Sequence, residues 1–171
     1  MFFGVALKTG RGRSILKSRV VNQDGDTSMS VETILKSKGN AAYTIRPEHS
    51  VSDAAALMST KRVGVAMVCD AKGKLQGMVS ERDIVHGITQ YGKGLLDMPV
   101  RNIMSSPVVT CHPGDTVKTI MEIMTNRRVR HLPVVDGVDI LGIISIGDVV
   151  SYRLRESEAE RAVLRDYAVT R

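Results

Sequence analysis

Two short segments place a serine three residues before an aspartate. They read Gly77-Met-Val-Ser80-Glu-Arg-Asp83 and Gly142-Ile-Ile-Ser145-Ile-Gly-Asp148. If a helix begins there, its unpaired N–H groups and positive dipole end favour a phosphate. The serine hydroxyl can donate to a phosphate oxygen, and the carboxylate can accept both hydroxyls of a ribose. The glycine would leave space for a base, so the chemistry suits a nucleotide.

The same spacing is also typical of a helix cap. In a capping box the serine accepts from the backbone N–H three residues on, while the acid reaches back to the serine N–H. A second copy does not separate the two interpretations, because a structural cap would be duplicated as well. Both stay open on the motif alone.

Both segments belong to an internal duplication, which the rest of the chain supports. With Pro47 over Pro113, matches hold at a spacing of 66 residues as far as Asp70 over Asp136. After a gap of one residue in a turn, they continue at a spacing of 65 to Asp83 over Asp148. One copy is about 55–60 residues, too small for a secure core of its own, so we expect the two to pack as one unit.

Each copy predicts the order β-α-β-β-α. Strands are expected at residues 42–45, 63–69 and 76–79, and again at 108–111, 129–135 and 141–144. An apolar stripe at helical spacing runs through Val51, Ala54 and Met58, with a counterpart in the second copy. Short helical lead-ins are expected at 31–36 and 100–104. The fold class is therefore α/β of the α+β type, with two β-α-β-β-α repeats packed as a pseudo-twofold pair.

Basic residues beside the second segment favour the phosphate interpretation. Arg130 and His131 open an apolar strand, where cations are rare unless they meet solvent or an anion, and Arg128 adds a third. The matching strand of the first repeat carries no charge. The candidate cations for the first site are Arg62, Arg82, and Lys36 or Lys38. We therefore expect the second site to prefer phosphate more strongly.

Composition excludes several function classes. No apolar run approaches the ~18–20 residues of a membrane span, which predicts a soluble protein without a membrane partner. Cys69 and Cys111 have neither a disulfide framework nor metal-ligand spacing, which suits a reducing cytosol. The sequence has no Gly-rich phosphate loop, nucleophile elbow or paired catalytic carboxylates, which argues against an enzyme.

Residues 1–28 belong to neither repeat and carry five basic and two acidic residues, half of the net charge of +6. We expect a flexible basic tail. Aromatic residues are only 4% of the chain, which argues against single-stranded nucleic acid as a partner. The tail resembles a transit peptide in composition, yet the cytoplasm is favoured over the mitochondrial matrix.

Taken together, the repeats, both Ser-x-x-Asp segments and Arg130-His131-Leu132-Pro133-Val134-Val135 resemble a stand-alone tandem CBS-domain pair, or Bateman module. The resemblance covers about residues 29–152. It implies CBS domains at 29–95 and 96–153, followed by a helical extension at 154–171. It also implies a homodimer with two clefts that bind AMP, ADP, ATP, NAD(H) or S-adenosylmethionine as a regulatory ligand, not as a catalytic cofactor, and an unknown regulated protein.

The resemblance also assigns binding roles to individual residues. The phosphate side is assigned to Ser80, Ser145, Arg130 and His131, and the ribose to Asp83 and Asp148. The base pocket is assigned to Thr44, Thr110, Val65, Leu132 and Pro133. Arg82, Gly147 and Arg128 complete the predicted nucleotide-binding set. The alternative is a ligand-free interaction scaffold in which both Ser-x-x-Asp segments are only helix caps.

Overall fold

The structure, a computed structural model, describes residues 30–169, so the predicted basic tail at 1–28 lies outside the described part. The first repeat contains β1 (Thr44–Ile45), α2 (Val51–Lys61), β2 (Val65–Cys69), β3 (Leu75–Ser80) and α3 (Glu81–Tyr91), preceded by α1 (Val31–Lys38). Two 3-10 helices, Gly92–Asp97 and Val100–Asn102, lead into the second repeat. That repeat contains α4 (Val117–Arg127), β4 (His131–Asp136), β5 (Asp139–Ser145) and α5 (Ile146–Val169). None of the helices within residues 30–169 has the length and apolarity to cross a membrane.

The two sheets differ by one strand. In the first, β1 pairs parallel with β2, and β2 pairs antiparallel with β3. The strand predicted at 108–111 is wrong: it is reduced to a single parallel bridge between Cys111 and Val134, beside a two-stranded β4–β5 sheet. The reason lies in β4. Met67 N–H donates to Tyr43 O at 2.9 Å, but Pro133 occupies the matching position and has no N–H to donate.

The duplication predicted from sequence extends to backbone detail. Both hairpins shift register at the same place, between Val68 and Cys69 in one and between Val134 and Val135 in the other. Helices α2 and α4 both end on a left-handed arginine, Arg62 and Arg128, each with a φ of 54°. A non-glycine residue in that conformation costs about 1–2 kcal/mol, so its occurrence at both matching positions is a strong mark of a common ancestor.

Each repeat completes the core of the other. The first lead-in, residues 30–40, buries Val31, Ile34 and Leu35 among second-repeat residues such as Ile120 and Leu132. The second lead-in, residues 98–106, buries Val100 in the first-repeat core, with Ile103 and Met104 packed against that core. Burial of an Ile or Leu side chain contributes roughly 1.5–3 kcal/mol. The exchange therefore couples the stability of the two halves.

Backbone bridges fix these exchanged lead-ins. Ser30 pairs with Thr116, the residue that caps α4, and Pro99 pairs with Ser50, the residue that caps α2. The glycines that precede the Ser-x-x-Asp segments serve the same exchange. A Cβ on Gly77 would collide with the Met104 side chain, and one on Gly142 would lie 3.0 Å from Leu35 Cδ2. The expectation that these glycines leave space for a base is therefore wrong, because the space is filled by the lead-ins.

Candidate functional site

Both predicted Ser-x-x-Asp segments form capping boxes at helix N-termini. In α5, the Ser145 N–H and hydroxyl each donate to Asp148 Oδ2 at 2.7 Å, and the Asp148 N–H donates to Ser145 Oγ at 3.2 Å. In α3, Ser80 and Asp83 make the same three hydrogen bonds at 2.7, 2.6 and 3.3 Å. The local geometry is thus a helix cap in both repeats.

A third box of the same kind lies away from these two. Ser50 and Asp53 cap α2 with the same three hydrogen bonds, at 3.0, 2.7 and 3.1 Å. The motif was not singled out from sequence there. Since the same box occurs where only a cap is needed, the motif alone does not mark a ligand site. Whether a given box belongs to a ligand site depends on the residues around it.

A cleft of about 390 Å³ lies where the Ser145 box faces the first repeat. We call it the Asp148 cleft. Its walls come from three parts of the chain: the first lead-in, the first repeat and the second repeat. The lining residues are Lys38, Gly39, Ala41, Tyr43, Lys61, Arg62, Val63, Gly64, Val65, Met67, His131, Ile143, Ser145 and Asp148. The cleft thus combines an apolar wall with a helix N-terminus and several charged side chains.

Three of the lining side chains are cationic. Lys38 Nζ lies 2.7 Å from Asp148 Oδ2, in a pair whose side chains are 26% and 22% exposed. Lys61 Nζ lies 5.7 Å from the centre of the Tyr43 ring, within cation–π range. Arg62 is the left-handed residue that ends α2. With one carboxylate against three cations, the cleft favours an anion.

The environment also sets the charge of two titratable residues. Burial by itself raises the pKa of Asp148, but hydrogen bonds from Lys38 and Ser145 outweigh it and hold that pKa below its usual value. Burial lowers the pKa of His131, and neighbouring Arg130 lowers it further against the opposing field of Asp148. At neutral pH the cleft therefore contains a charged Asp148 and an uncharged imidazole.

A repeated mixed fold with exchanged lead-ins and an interdomain cleft can be compared with known proteins. The sequence profile of the family described as CBS domain matches this chain twice, over residues 40–89 and 100–155. The chain belongs to the CBS-domain family. The tandem pair predicted from sequence is thereby confirmed, as is its mixed fold class.

Relatives of this CBS pair are found among both sequences and solved structures. It is 30% identical over 155 residues to a mitochondrial CBS domain-containing protein of Arabidopsis thaliana, a match that spans 86% of this chain and 75% of the relative. A crystal structure of a CBS-domain protein from Agrobacterium tumefaciens is 38% identical, with a TM-score of 0.71, over 72% of this chain and 92% of that one.

A third neighbour carries ligands. It is a CBS domain pair solved in complex with 5′-methylthioadenosine and S-adenosyl-L-methionine, 23% identical with a TM-score of 0.66. The match covers 77% of this chain and 98% of that one. At this identity the likeness shows a shared fold.

The structure brings four of the predicted binding residues to the Asp148 cleft. They are Val65, His131, Ser145 and Asp148. Because His131 pairs with Ser145 across the β4–β5 ladder, their side chains lie on the same face of the sheet. Gly147 lies in the first turn of α5, near the cleft but outside its lining.

The other predicted residues lie elsewhere. Ser80, Arg82 and Asp83 surround the N-terminus of α3, and Thr44 lies on β1. Leu132 and Pro133 are buried on β4, Thr110 precedes the Cys111 bridge, and Arg128 and Arg130 are exposed at the end of α4 and the start of β4. Their assignment to a binding site stays a prediction.

Sequence reasoning missed part of the cleft. Tyr43 and Lys61 were not predicted, and Lys38 and Arg62 were expected to serve the first site, whereas the structure places both in the lining of the Asp148 cleft. The match of Arg62 with Arg128 was visible in the duplication. The exchange of the lead-ins was not, because no local pattern indicates that Lys38 packs on the opposite repeat.

Proposed function

We propose that this CBS pair is a sensor that binds an anionic adenine nucleotide in the Asp148 cleft as a regulatory signal. The candidates are AMP, ADP, ATP and NAD(H). The observation that supports the proposal is the combination of one helix N-terminus, one carboxylate and three cationic side chains in a single cleft between the two repeats.

The chemistry of each part fits one portion of a nucleotide. The N-terminus of α5 suits a phosphate, and Lys61 and Arg62 supply compensating charge from the first repeat. The Oδ1 atom of Asp148 suits a ribose hydroxyl. Val63, Val65 and Ile143 offer an apolar wall for a base. The adenosine compounds bound by the structural neighbour support adenine as that base.

The position of the cleft suits a sensor. Its walls come from both repeats and from the first lead-in, which itself packs in the second core. A ligand that contacts both walls stabilises one relative arrangement of the repeats, and a partner protein that distinguishes those arrangements can respond. The proposed sensor acts in the cytoplasm. The proposal includes no catalytic step, no nucleic-acid partner and no membrane partner.

A homodimer is part of the proposal. Helix α3 exposes Val85 and Ile88, and α5 exposes Val150 and Leu154, which are 54–63% accessible. Val85 and Val150 occupy matching positions of the two repeats, so the two helices present a similar apolar surface. A second copy of the chain, which carries the same duplicated surface, is the proposed occupant.

A ligand-free scaffold is the second candidate. The observation that favours it is the Ser50–Asp53 box, which shows that this chain uses the same motif as a simple cap. In that case, Ser145 and Asp148 serve only to start α5, and a partner protein occupies the cleft or the exposed helices.

The deciding experiment is a binding titration of the full-length chain with AMP, ADP, ATP, NAD and NADH. A ligand at about 100 times its Kd stabilises the folded protein by about 2.7 kcal/mol, enough to raise the Tm by several degrees. Asp148→Ala is expected to weaken binding at least about tenfold.

Asp53→Ala is the matched control, because it removes the same cap from the N-terminus of α2, whereas only the opposite end of that helix, at Lys61 and Arg62, lines the cleft. Both variants should lose about 1 kcal/mol of unfolding free energy. Equal ligand affinity in the two variants, or no binding by the wild type, would favour the scaffold.

A further inference from the structure

The carboxylate of Asp148 has a partner that the two other capping boxes lack. Its Oδ2 accepts three hydrogen bonds at 2.7 Å, two from Ser145 and one from Lys38 Nζ. Within residues 30–169, Oδ1 of the same carboxylate accepts none. One oxygen is therefore saturated while the other is available to a ligand.

The Asp83 box makes a different third contact. Its Oδ2 accepts from Ser80, and its Oδ1 accepts a 3.2 Å hydrogen bond from the Ser105 hydroxyl. Ser105 belongs to the second lead-in as Lys38 belongs to the first. The second lead-in therefore presents a neutral hydroxyl to Asp83, and the first presents a cation to Asp148. Only the cation, Lys38, neutralises the charge of its carboxylate.

Lys38 is held in place by the fold. It lies in the last turn of α1, and Ile34 and Leu35 of the same helix are buried in the second core. The Lys38–Asp148 pair is much less exposed than the Glu32–Lys36 pair of the same helix, whose side chains are 41% and 71% exposed. Because solvent screens the Lys38–Asp148 pair less, the charges of that pair act more strongly on a ligand in the cleft.

We propose that Lys38 is a specificity-determining residue, which makes the Asp148 cleft select anionic nucleotides over cationic adenosyl compounds. The inference rests on the proposed function, since it assigns a ligand class to the same cleft. An unpaired carboxylate in this position would attract a cationic ligand such as an adenosyl sulfonium. With Lys38 paired to it, the charges left near the cleft are Lys61, Arg62 and the Glu81 carboxylate beside Gly64, and the two cations outnumber that carboxylate and repel a cationic ligand.

The test compares Lys38→Gln with Lys36→Gln in the full-length chain. Affinities for AMP and for S-adenosylmethionine are measured by calorimetry, with displacement of a fluorescent nucleotide for weak ligands. Lys38→Gln is expected to weaken AMP about fivefold and to strengthen S-adenosylmethionine about fivefold, because one positive charge leaves the cleft. Lys36→Gln removes an equal charge outside the cleft and should change neither affinity by more than about twofold.

Lys38→Arg keeps the charge and should keep the preference for AMP. Unchanged AMP affinity in Lys38→Gln, or an equal loss of both ligands, would overturn the role of Lys38 while leaving nucleotide binding intact. A wild type that binds neither compound would instead overturn the proposed function, and this inference with it. The Tm of Lys38→Gln, compared with that of Lys36→Gln, reports whether the variant is folded.

Discussion

The Ser80–Asp83 and Ser145–Asp148 segments share the Ser-x-x-Asp pattern and nearly the same internal hydrogen bonds, yet they lie in different surroundings. Asp83 accepts a hydrogen bond from the Ser105 hydroxyl, whereas Asp148 accepts one from the Lys38 ammonium and faces a cleft with two further cations. The difference comes from the lead-ins, which are exchanged between the repeats. A duplicated motif has thus kept one structural role, while its chemistry depends on a segment that arrives from elsewhere in the chain.

The exchange itself can be broken by a core substitution. Ile34→Ala truncates a first lead-in residue that is buried in the second core, and it should cost about 2–5 kcal/mol of unfolding free energy. The damage is expected in the second half, although Ile34 precedes the first repeat. The two cysteines report on this, since Cys111 lies in the second core and Cys69 on β2.

Thiol labelling under native conditions locates the damage. Burial raises the pKa of Cys69 to about 11 and that of Cys111 to about 12, so both react slowly unless their surroundings open. Ile34→Ala should accelerate labelling of Cys111 more than that of Cys69. Val100→Ala, which truncates the buried residue of the other lead-in, should do the reverse. Faster labelling of Cys69 in Ile34→Ala would contradict the exchange.

Much of the fold could be predicted from the sequence, because the duplication and the apolar periodicities are local signals. Five of the six predicted helical segments correspond to α1 to α5, the sixth, at 100–104, contains the 3-10 helix Val100–Asn102, and five of six predicted strands correspond to β1 to β5. The sixth failed because Pro133 removes one donor from the ladder. The domain boundaries at 29–95 and 96–153 stay a prediction, since α1 packs in the second core.

Less of the site could be predicted, because it depends on contacts between distant segments. The sequence indicated Ser145, Asp148, His131 and Val65, which the structure places around one cleft. The partnership of Lys38 with Asp148 joins residues 110 positions apart. The prediction that the glycines leave space for a base was wrong for the same reason, since the segment that fills the space beside Gly142 comes from the first lead-in.

The equivalence of the two caps can be sharpened by paired serine substitutions. Ser80→Ala and Ser145→Ala each remove one cap, and each should lower the unfolding free energy by about 1 kcal/mol in urea denaturation. Only Ser145→Ala should also weaken nucleotide binding at the Asp148 cleft. If Ser80→Ala weakened binding as much as Ser145→Ala, the surroundings of the two caps would be functionally equivalent. That result would contradict the assignment of nucleotide binding to the Asp148 cleft.

A smaller effect is expected from His131, which has Val65 at the matching position of the first repeat. Because its folded-state pKa is depressed, the unfolded chain binds more protons between that pKa and 6.5. The stability that His131 contributes is therefore full above pH 6.5 and is lost as the pH falls through the folded-state pKa.

His131→Gln should remove this pH dependence, which is expected to be no more than about 0.5 kcal/mol of unfolding free energy. The corresponding part of a Tm-against-pH curve should therefore become flatter. The groups that act on the imidazole are Arg130, Asp148, Lys38 and Glu81. An unchanged curve between pH 7.5 and 5 would show that His131 has no depressed pKa in the folded chain.

The most direct test of the central claim is a calorimetric titration of AMP into the full-length wild type, Asp148→Ala and Asp83→Ala. If the Asp148 cleft is the stronger nucleotide site, Asp148→Ala should lower the affinity of that site at least about tenfold, while Asp83→Ala should leave it within about twofold. A larger loss in Asp83→Ala than in Asp148→Ala would contradict the account.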